Sequence, residues 1–205
     1  MRKEIGIGFI LIGIVCLLAS AGFVLYNRLE AQNGAASSQL LLRDMQEKMV
    51  EGEQLHDETV ATLPGEPVPN ATGEMVTVPV GDYESIGILS IPVLELELPV
   101  LTDWSYEKLR KAPCHYHGSC YEPDFVIAAH NYPSHFGRLS ELQEGDLVLF
   151  TDAAGEIHIY EVVLQETLVP TATEEMITSG FDLSLYTCTP GGSNRVTVRC
   201  RRVNV

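Results

Sequence analysis

The chain is short of positive charge: 13 lysines and arginines stand against 28 aspartates and glutamates. With residues 1–26 set aside, 11 basic and 27 acidic residues remain, a formal charge of −16. A body so acidic repels phosphate backbones and anionic lipid surfaces, which argues against nucleic-acid binding. There is no internal repeat and no low-complexity tract. Cysteines are few, five in all. The segment Cys114-His115-Tyr116-His117-Gly118-Ser119-Cys120 sets thiols and imidazoles close together, yet no second Cys or His pair follows at finger-like spacing. Without that pair the residues do not make a zinc module, and neither metal nor cofactor is expected. A small-loop disulfide between Cys114 and Cys120 stays open as an alternative.

What is present begins with a long apolar run, Ile5 to Tyr26. As a helix rising 1.5 Å per residue it spans roughly 33 Å, enough for a bilayer core. Ala19-Ser20-Ala21 resembles a signal-peptidase site, but the run continues past it through Phe23, Val24, Leu25 and Tyr26, longer than a signal h-region. An uncleaved membrane anchor is therefore expected. Arg2 and Lys3 flank it on one side, Arg28 and Arg43 on the other, so the charge comparison is shallow. A short tail inside with the long C-terminal part exported is the simpler topology.

Three regions follow: a tail and anchor over 1–26, a stalk over 27–79 and a folded domain over 80–205. In the stalk, Leu41, Leu42, Met45 and Met49 recur near helical spacing and predict a short helix over 39–50. The prolines and glycines of 65–79 read as a spacer. The domain reads as mostly strand: 86–91, 96–101, 125–130, 146–151, 156–163, 165–169, 183–188 and 195–203, each short, branched or aromatic, and bounded by Gly, Pro or Asp. Two short helices are expected at 106–111 and 173–179, the second capped by Thr173 and stopped by Gly180. Such a run of strands makes a closed barrel or a sandwich, and the pattern does not choose between them.

The chemistry concentrates in Leu185-Tyr186-Thr187-Cys188-Thr189-Pro190-Gly191-Gly192-Ser193-Asn194-Arg195. The order is strand, turn, strand, which puts Cys188 and Arg195 at the two necks of a hairpin. Alternation places Ser184, Tyr186 and Cys188 on one face and Leu183, Leu185 and Thr187 on the other, and groups Arg195 with Thr197 and Arg199. Cys188 thus falls on the more polar face, although a strand cysteine is more often a buried packing residue than a nucleophile. His130 ends the apolar run Phe125-Val126-Ile127-Ala128-Ala129 in the same way. Cys16 and Cys200 read as packing residues, His135 and His158 as surface or strand positions, and His56 as part of the stalk.

These segments resemble the sortases, membrane-anchored cysteine transpeptidases of Gram-positive bacteria. Leu-Tyr-Thr-Cys followed by an arginine is similar to the family's signature, with Ser184 where a first threonine would stand. The His130 segment continues the likeness through Phe136-Gly137-Arg138-Leu139-Ser140-Glu141-Leu142 and the Glu144-Gly145-Asp146 turn. Ile86-Gly87-Ile88-Leu89-Ser90-Ile91-Pro92, Pro113, His115-Tyr116 and Gly118-Ser119 extend it, in order, over nearly all of 84–205.

The resemblance implies an all-β fold, an eight-stranded closed barrel with short helices behind an N-terminal transmembrane helix and linker, in a compact D- or A-like class. It implies that Cys188 cleaves a Leu-Pro-X-Thr-Gly-like sorting signal through a thioester and passes the protein to an amine of the peptidoglycan precursor or of a pilin. His130 would be the acid–base. Arg195, which stays protonated, would be the donor to the oxyanion or substrate backbone, with Arg199 its rival on the same face. A cysteine hydrolase of the cell wall, or a non-catalytic wall-binding domain, is the alternative.

Overall fold

The computed structural model describes residues 2–59 and 75–203, with side chains for 10–50 and 75–203. The His56 side chain and residues 65–74 of the spacer lie outside what is so described.

Helix α1 runs from Arg2 to Thr59, well beyond the short stalk helix expected at 39–50. Within Ile10–Val50 it contains a stretch long and apolar enough to cross a membrane. Beyond the exposed apolar part, Gly34, Ser38, Leu41 and Met45 are buried, at spacings of four, three and four that line one helix face. That face packs on the sheet, where Leu41 and Met45 join Val80, Ile88, Leu101, Leu109, Ala112, Cys114 and Ala128. Burying a methionine or leucine in this way stabilises the contact by about 2 kcal/mol each. Asp44 adds a hydrogen bond of 2.6 Å from the Gly81 N–H.

The strands follow as β1 (Val78–Val80), β2 (Tyr83–Ile91), β3 (Leu96–Leu101), β4 (Cys114–His117), β5 (Phe125–Ala128), β6 (Leu147–Asp152), β7 (Ile157–Leu168), β8 (Leu183–Cys188) and β9 (Arg195–Arg202). Helix α2 (Tyr106–Leu109) follows β3, and α3 (Thr173–Ile177) follows β7. The sheet order is β1-β2-β3-β4-β5-β8-β9-β7-β6, and β2 also pairs with β6. That extra pairing closes β2 to β9 into an eight-stranded barrel with β1 outside the ring. The barrel arises, however, from a different set of eight strands than the one expected. The two strands expected at 156–163 and 165–169 are one, β7, bent by a bulge between Val162 and Leu164. The eighth place is taken by β4, in the histidine-rich segment whose polar, intermediate exposure hides it from an apolar pattern.

Inward-facing residues, among them Leu89, Val100, Phe125, Ile127, Phe136, Phe150, Leu183, Leu185 and Val198, fill the barrel. Outside it, α3 covers Val126 and Leu168 with Met176. The α3 N-cap is Ala172 without a side-chain cap, one residue before the expected Thr173. Helix α2 is capped by Ser105, whose hydroxyl accepts from the Lys108 N–H at 3.1 Å.

Candidate active site

Two strand pairings assemble the site. Strands β5 and β8 run parallel with Ala128 opposite Tyr186. The pairing is carried one step further by Ala129 N–H to the Tyr186 carbonyl, 3.2 Å, and by the Thr187 hydroxyl donating to the Ala129 carbonyl, 2.8 Å. His130 and Cys188 each follow the Ala128–Tyr186 pair by two residues. On the other side of β8, antiparallel β9 pairs Arg195 directly with Cys188. Three adjacent chain segments thus carry the three side chains.

The loop that reverses the chain is closed by Thr189 N–H to Asn194 O, 2.9 Å, and Gly192 N–H to Thr189 O, 2.8 Å. It turns at Gly191 and Gly192, both left-handed with φ 84° and 75°, a conformation glycine adopts without strain. Its Gly192 and Asn194 carbonyls each accept from Arg195 Nη1 at 3.1 Å, which holds the guanidinium at the cleft. Cys188, His130 and Arg195 all line one cleft of about 220 Å³. Trp104, Tyr106, Leu109, Tyr116, Val169, Pro170, Met176 and Tyr186 also line it. Leu183 and Leu185 point into the barrel while Cys188 is partly exposed, as alternation along β8 predicts. The cleft therefore lies on the outside of the barrel wall.

Burial lowers the pKa of His130, Glu30 of α1 offsets part of this, and Arg110 adds to the lowering. Its ring stacks on Tyr132 at 4.8 Å and 27°. Arg199, the rival of Arg195, is buried and fully occupied. It pairs with Glu166 at 2.8 Å and donates to the Ser184 hydroxyl and to the carbonyls of Glu175 and Met176. It ties β9 to α3 and does not reach the cleft.

The other histidines and cysteines fall elsewhere. His115 Nε2 meets the Gly118 carbonyl at 2.8 Å, and His117 is exposed. Cys114 and Cys120 are free, not bridged: one packs under α1 and the other inside the barrel. Cys200 is buried in the barrel, whereas Cys16 lies exposed on α1. His135 and His158 are not surface positions. His135 is wholly buried, and His158 is 2% exposed on β7.

Cys120, Asp152 and His158 form a second cluster, with ligand atoms within 4.8 Å of one another. By residue type it is a nucleophile–base–acid set or a metal site, but its surroundings favour neither. Burial pushes the Cys120 thiol up to about 12, with Asp152 adding to the effect. His158 Nδ1 accepts from Arg202 at 3.1 Å, which leaves Nε2–H to donate to Asp152 at 3.3 Å. Burial pushes the Asp152 carboxyl up, but hydrogen bonds from His158 and Tyr121 outweigh it and hold the group ionised. With each lone pair engaged and the sulfur sealed, the cluster is a polar strut bracing β6, β7 and β9. No sequence motif announced it: Asp152 and His158 meet across the β6–β7 hairpin, and Cys120 joins them only in the tertiary fold.

An all-β closed barrel thus carries a thiol, an imidazole and a guanidinium in one outer cleft and follows a helix long and apolar enough to cross a membrane. The comparisons with known proteins agree. The sortase-domain family matches residues 89–203, more than half the chain. Sortase C1 of Streptococcus agalactiae is 28% identical, with a TM-score of 0.53, over 59% of this chain and 68% of that one. Sortase C1 of Streptococcus suis is 30% identical, TM-score 0.51, over 59% and 74%. A sortase D5 transpeptidase of Clostridium perfringens shares the fold at 17% identity, TM-score 0.59, over 82% and 99%. The comparison with curated protein sequences found no match. The chain belongs to the sortase family, a family of transpeptidases.

Proposed function

We propose that this protein is a cysteine transpeptidase in which Cys188 is the nucleophile, His130 the general acid–base and Arg195 the donor to the developing oxyanion. The observation that carries the reading is that His130, Cys188 and Arg195 line one cleft, with Arg195 paired to Cys188 across β8–β9 and His130 two residues beyond the Ala128–Tyr186 pair of β5–β8. The fully buried Cys120 cluster has no comparable access to a polypeptide.

An ordinary thiol is only a few per cent thiolate at pH 7, so attack needs a neighbouring base. His130, held neutral by burial, takes the Cys188 proton as sulfur adds to the carbonyl carbon. The C–N bond then breaks, the imidazolium returns its proton to the leaving amine, and a thioester remains. An incoming amine adds to that carbonyl, His130 takes its surplus proton, and the thiol is released. The guanidinium has five N–H donors, and Nη1 alone is engaged with the loop. The others supply hydrogen bonds where charge builds on the carbonyl oxygen, a contribution of about 3 kcal/mol for one lost donor.

The substrate is a surface protein with a C-terminal sorting signal similar to Leu-Pro-X-Thr-Gly, its apolar residues seated between Trp104, Tyr106, Val169 and Pro170. The acceptor is an amine of the peptidoglycan precursor or of a pilin. The N-terminus lies inside and the catalytic domain outside, which holds enzyme, cargo and acceptor at one membrane surface and raises their effective concentration. Mass spectrometry of the full chain incubated with sorting peptides is the test. An acyl adduct on the peptide carrying Cys188, absent from Cys188→Ala, is expected. Discharge to water alone in the presence of an added amine would make the protein a hydrolase, and an adduct on another cysteine would overturn the assignment.

A further inference from the structure

The helix that carries the membrane span also reaches the cleft. Glu30 and Gly34 lie one turn apart on α1, shortly beyond the end of the apolar run at Tyr26. Gly34 is buried against Tyr132: a Cβ there would stand 3.0 Å from two carbons of the tyrosine ring and 3.1 Å from the Arg110 carbonyl. A glycine inside a helix costs about 1 kcal/mol relative to alanine, so its presence is explained by this close approach. Glu30 reaches Arg110 with 3.4 Å between Oε1 and Nε. Burial pushes the Tyr132 hydroxyl up to about 12, and the neighbouring Glu30 carboxylate adds to it. Tyr132 in turn stacks face to face on His130, with His135 packed against its ring at 5.3 Å. His130 lines both the Cys188 cleft and a groove of about 710 Å³ bounded by Phe23, Asn27, Glu30 and Tyr132.

We infer that Glu30 and Gly34 of α1 are positioning residues for His130, acting through Tyr132, so that the segment just beyond the membrane span governs how the imidazole is held in the cleft. The inference rests on the reading of His130 as the acid–base. The groups that face the imidazole are Glu30 from α1, Arg110 after α2, Tyr132 and His135 from its own loop, and Cys188 and Arg195 from β8 and β9. Of these, Glu30 raises its pKa and Arg110 lowers it. Removing the carboxylate deletes the raising influence and leaves Arg110 unpaired, so both consequences favour the neutral ring. Gly34 acts by shape, because a larger residue there crowds the Tyr132 ring that stacks on the imidazole.

The experiment is a histidine-ring NMR titration of the full chain in detergent micelles, with kcat and KM for sorting-peptide cleavage followed against pH. In Glu30→Gln the His130 midpoint falls by roughly half a pH unit, and the limb of the rate profile that reports it moves with it. Glu30→Asp, which keeps the charge, restores most of the shift. Gly34→Leu lowers kcat roughly tenfold or more with little change in KM, as expected where geometry at the reacting atoms is disturbed. A His130 midpoint unchanged in both Glu30→Gln and Gly34→Leu overturns the inference. The midpoint is read without turnover. A wild type that does not cleave sorting peptides, together with a midpoint that shifts in Glu30→Gln, therefore counts against the acid–base assignment of His130 and leaves the positioning intact.

Discussion

The Thr187 hydroxyl donates a 2.8 Å hydrogen bond to the Ala129 carbonyl, joining the residue before the proposed nucleophile to the residue before the proposed acid–base. Thr187 is 3% exposed, so the bond is shielded from water. It explains why a threonine precedes the cysteine: the side chain that faces away from the cleft ties the strand that ends in Cys188 to the segment that leads into His130.

Thr187→Val keeps the shape and deletes the donor, leaving a buried carbonyl without its partner. Stability is expected to fall by about 1–3 kcal/mol in denaturant titration. The rate of peptide cleavage falls by roughly tenfold at unchanged KM, since a small error at the reacting atoms is costly. Thr187→Ser restores most of both. Equal cleavage rates in the threonine and valine forms would show that the bond has no part in aligning the site.

The two arginines on the outer face of β9 should separate by readout. Arg195→Ala is expected to lower kcat by about a hundred- to a thousandfold while leaving the melting temperature close to wild type. Arg199→Ala removes the partner of Glu166, Ser184 and two carbonyls of α3, and is expected to destabilise the fold by on the order of 3 kcal/mol. Thermal melts beside steady-state kinetics decide it. The opposite pattern would transfer the catalytic role to Arg199.

Thiol chemistry offers a direct reading of accessibility. Brief alkylation of the native protein followed by peptide mapping should label Cys188 and spare Cys114, Cys120 and Cys200, all buried and with thiols pushed up to about 12. Labelling of Cys120 ahead of Cys188 would move attention to the buried cluster.

His135 makes the fold sensitive to acid. Burial pushes its pKa down to about 4, only partly offset by the nearby Gly34 backbone, against an ordinary 6.5. The stability it allows is present above pH 6.5. As pH falls from 6.5 to about 4, the unfolded chain takes up a proton that the native ring refuses, and stability is lost, on the order of 3 kcal/mol in total. His135→Leu fills much the same space and removes the buried titratable ring. The variant is expected to match or exceed wild type at pH 7 and to lose less stability by pH 4.5. Parallel slopes for the two proteins would show that the ring is protonated in the native state.

Much of this is legible in one dimension. The alternation of residues 183–188 and 195–200 is a local property, set by the two-residue period of an extended chain, and it placed Leu183, Leu185, Val198 and Cys200 inside and Cys188 outside. The Pro-Gly-Gly-Ser-Asn turn likewise foretold the Cys188–Arg195 pairing, because a hairpin's register follows from its loop. Strand β4 escaped because its partners, β3 and β5, supply the order that its own polar sequence lacks. His135 and His158 escaped for a related reason: burial of a polar ring depends on what closes over it.

The sequence by itself determined the presence of most strands and of a long apolar helix, which face of β8 and β9 is apolar, and that a cysteine and a histidine end apolar runs. Those features depend on neighbours a few residues away. Only the tertiary structure decided that β5 and β8, 58 residues apart, lie side by side, that Arg199 is buried while Arg195 borders the cleft, and that Gly34 touches Tyr132. Such contacts form when the β2–β6 pairing closes the barrel and α1 packs on its wall, and no local periodicity encodes which distant segments will then meet.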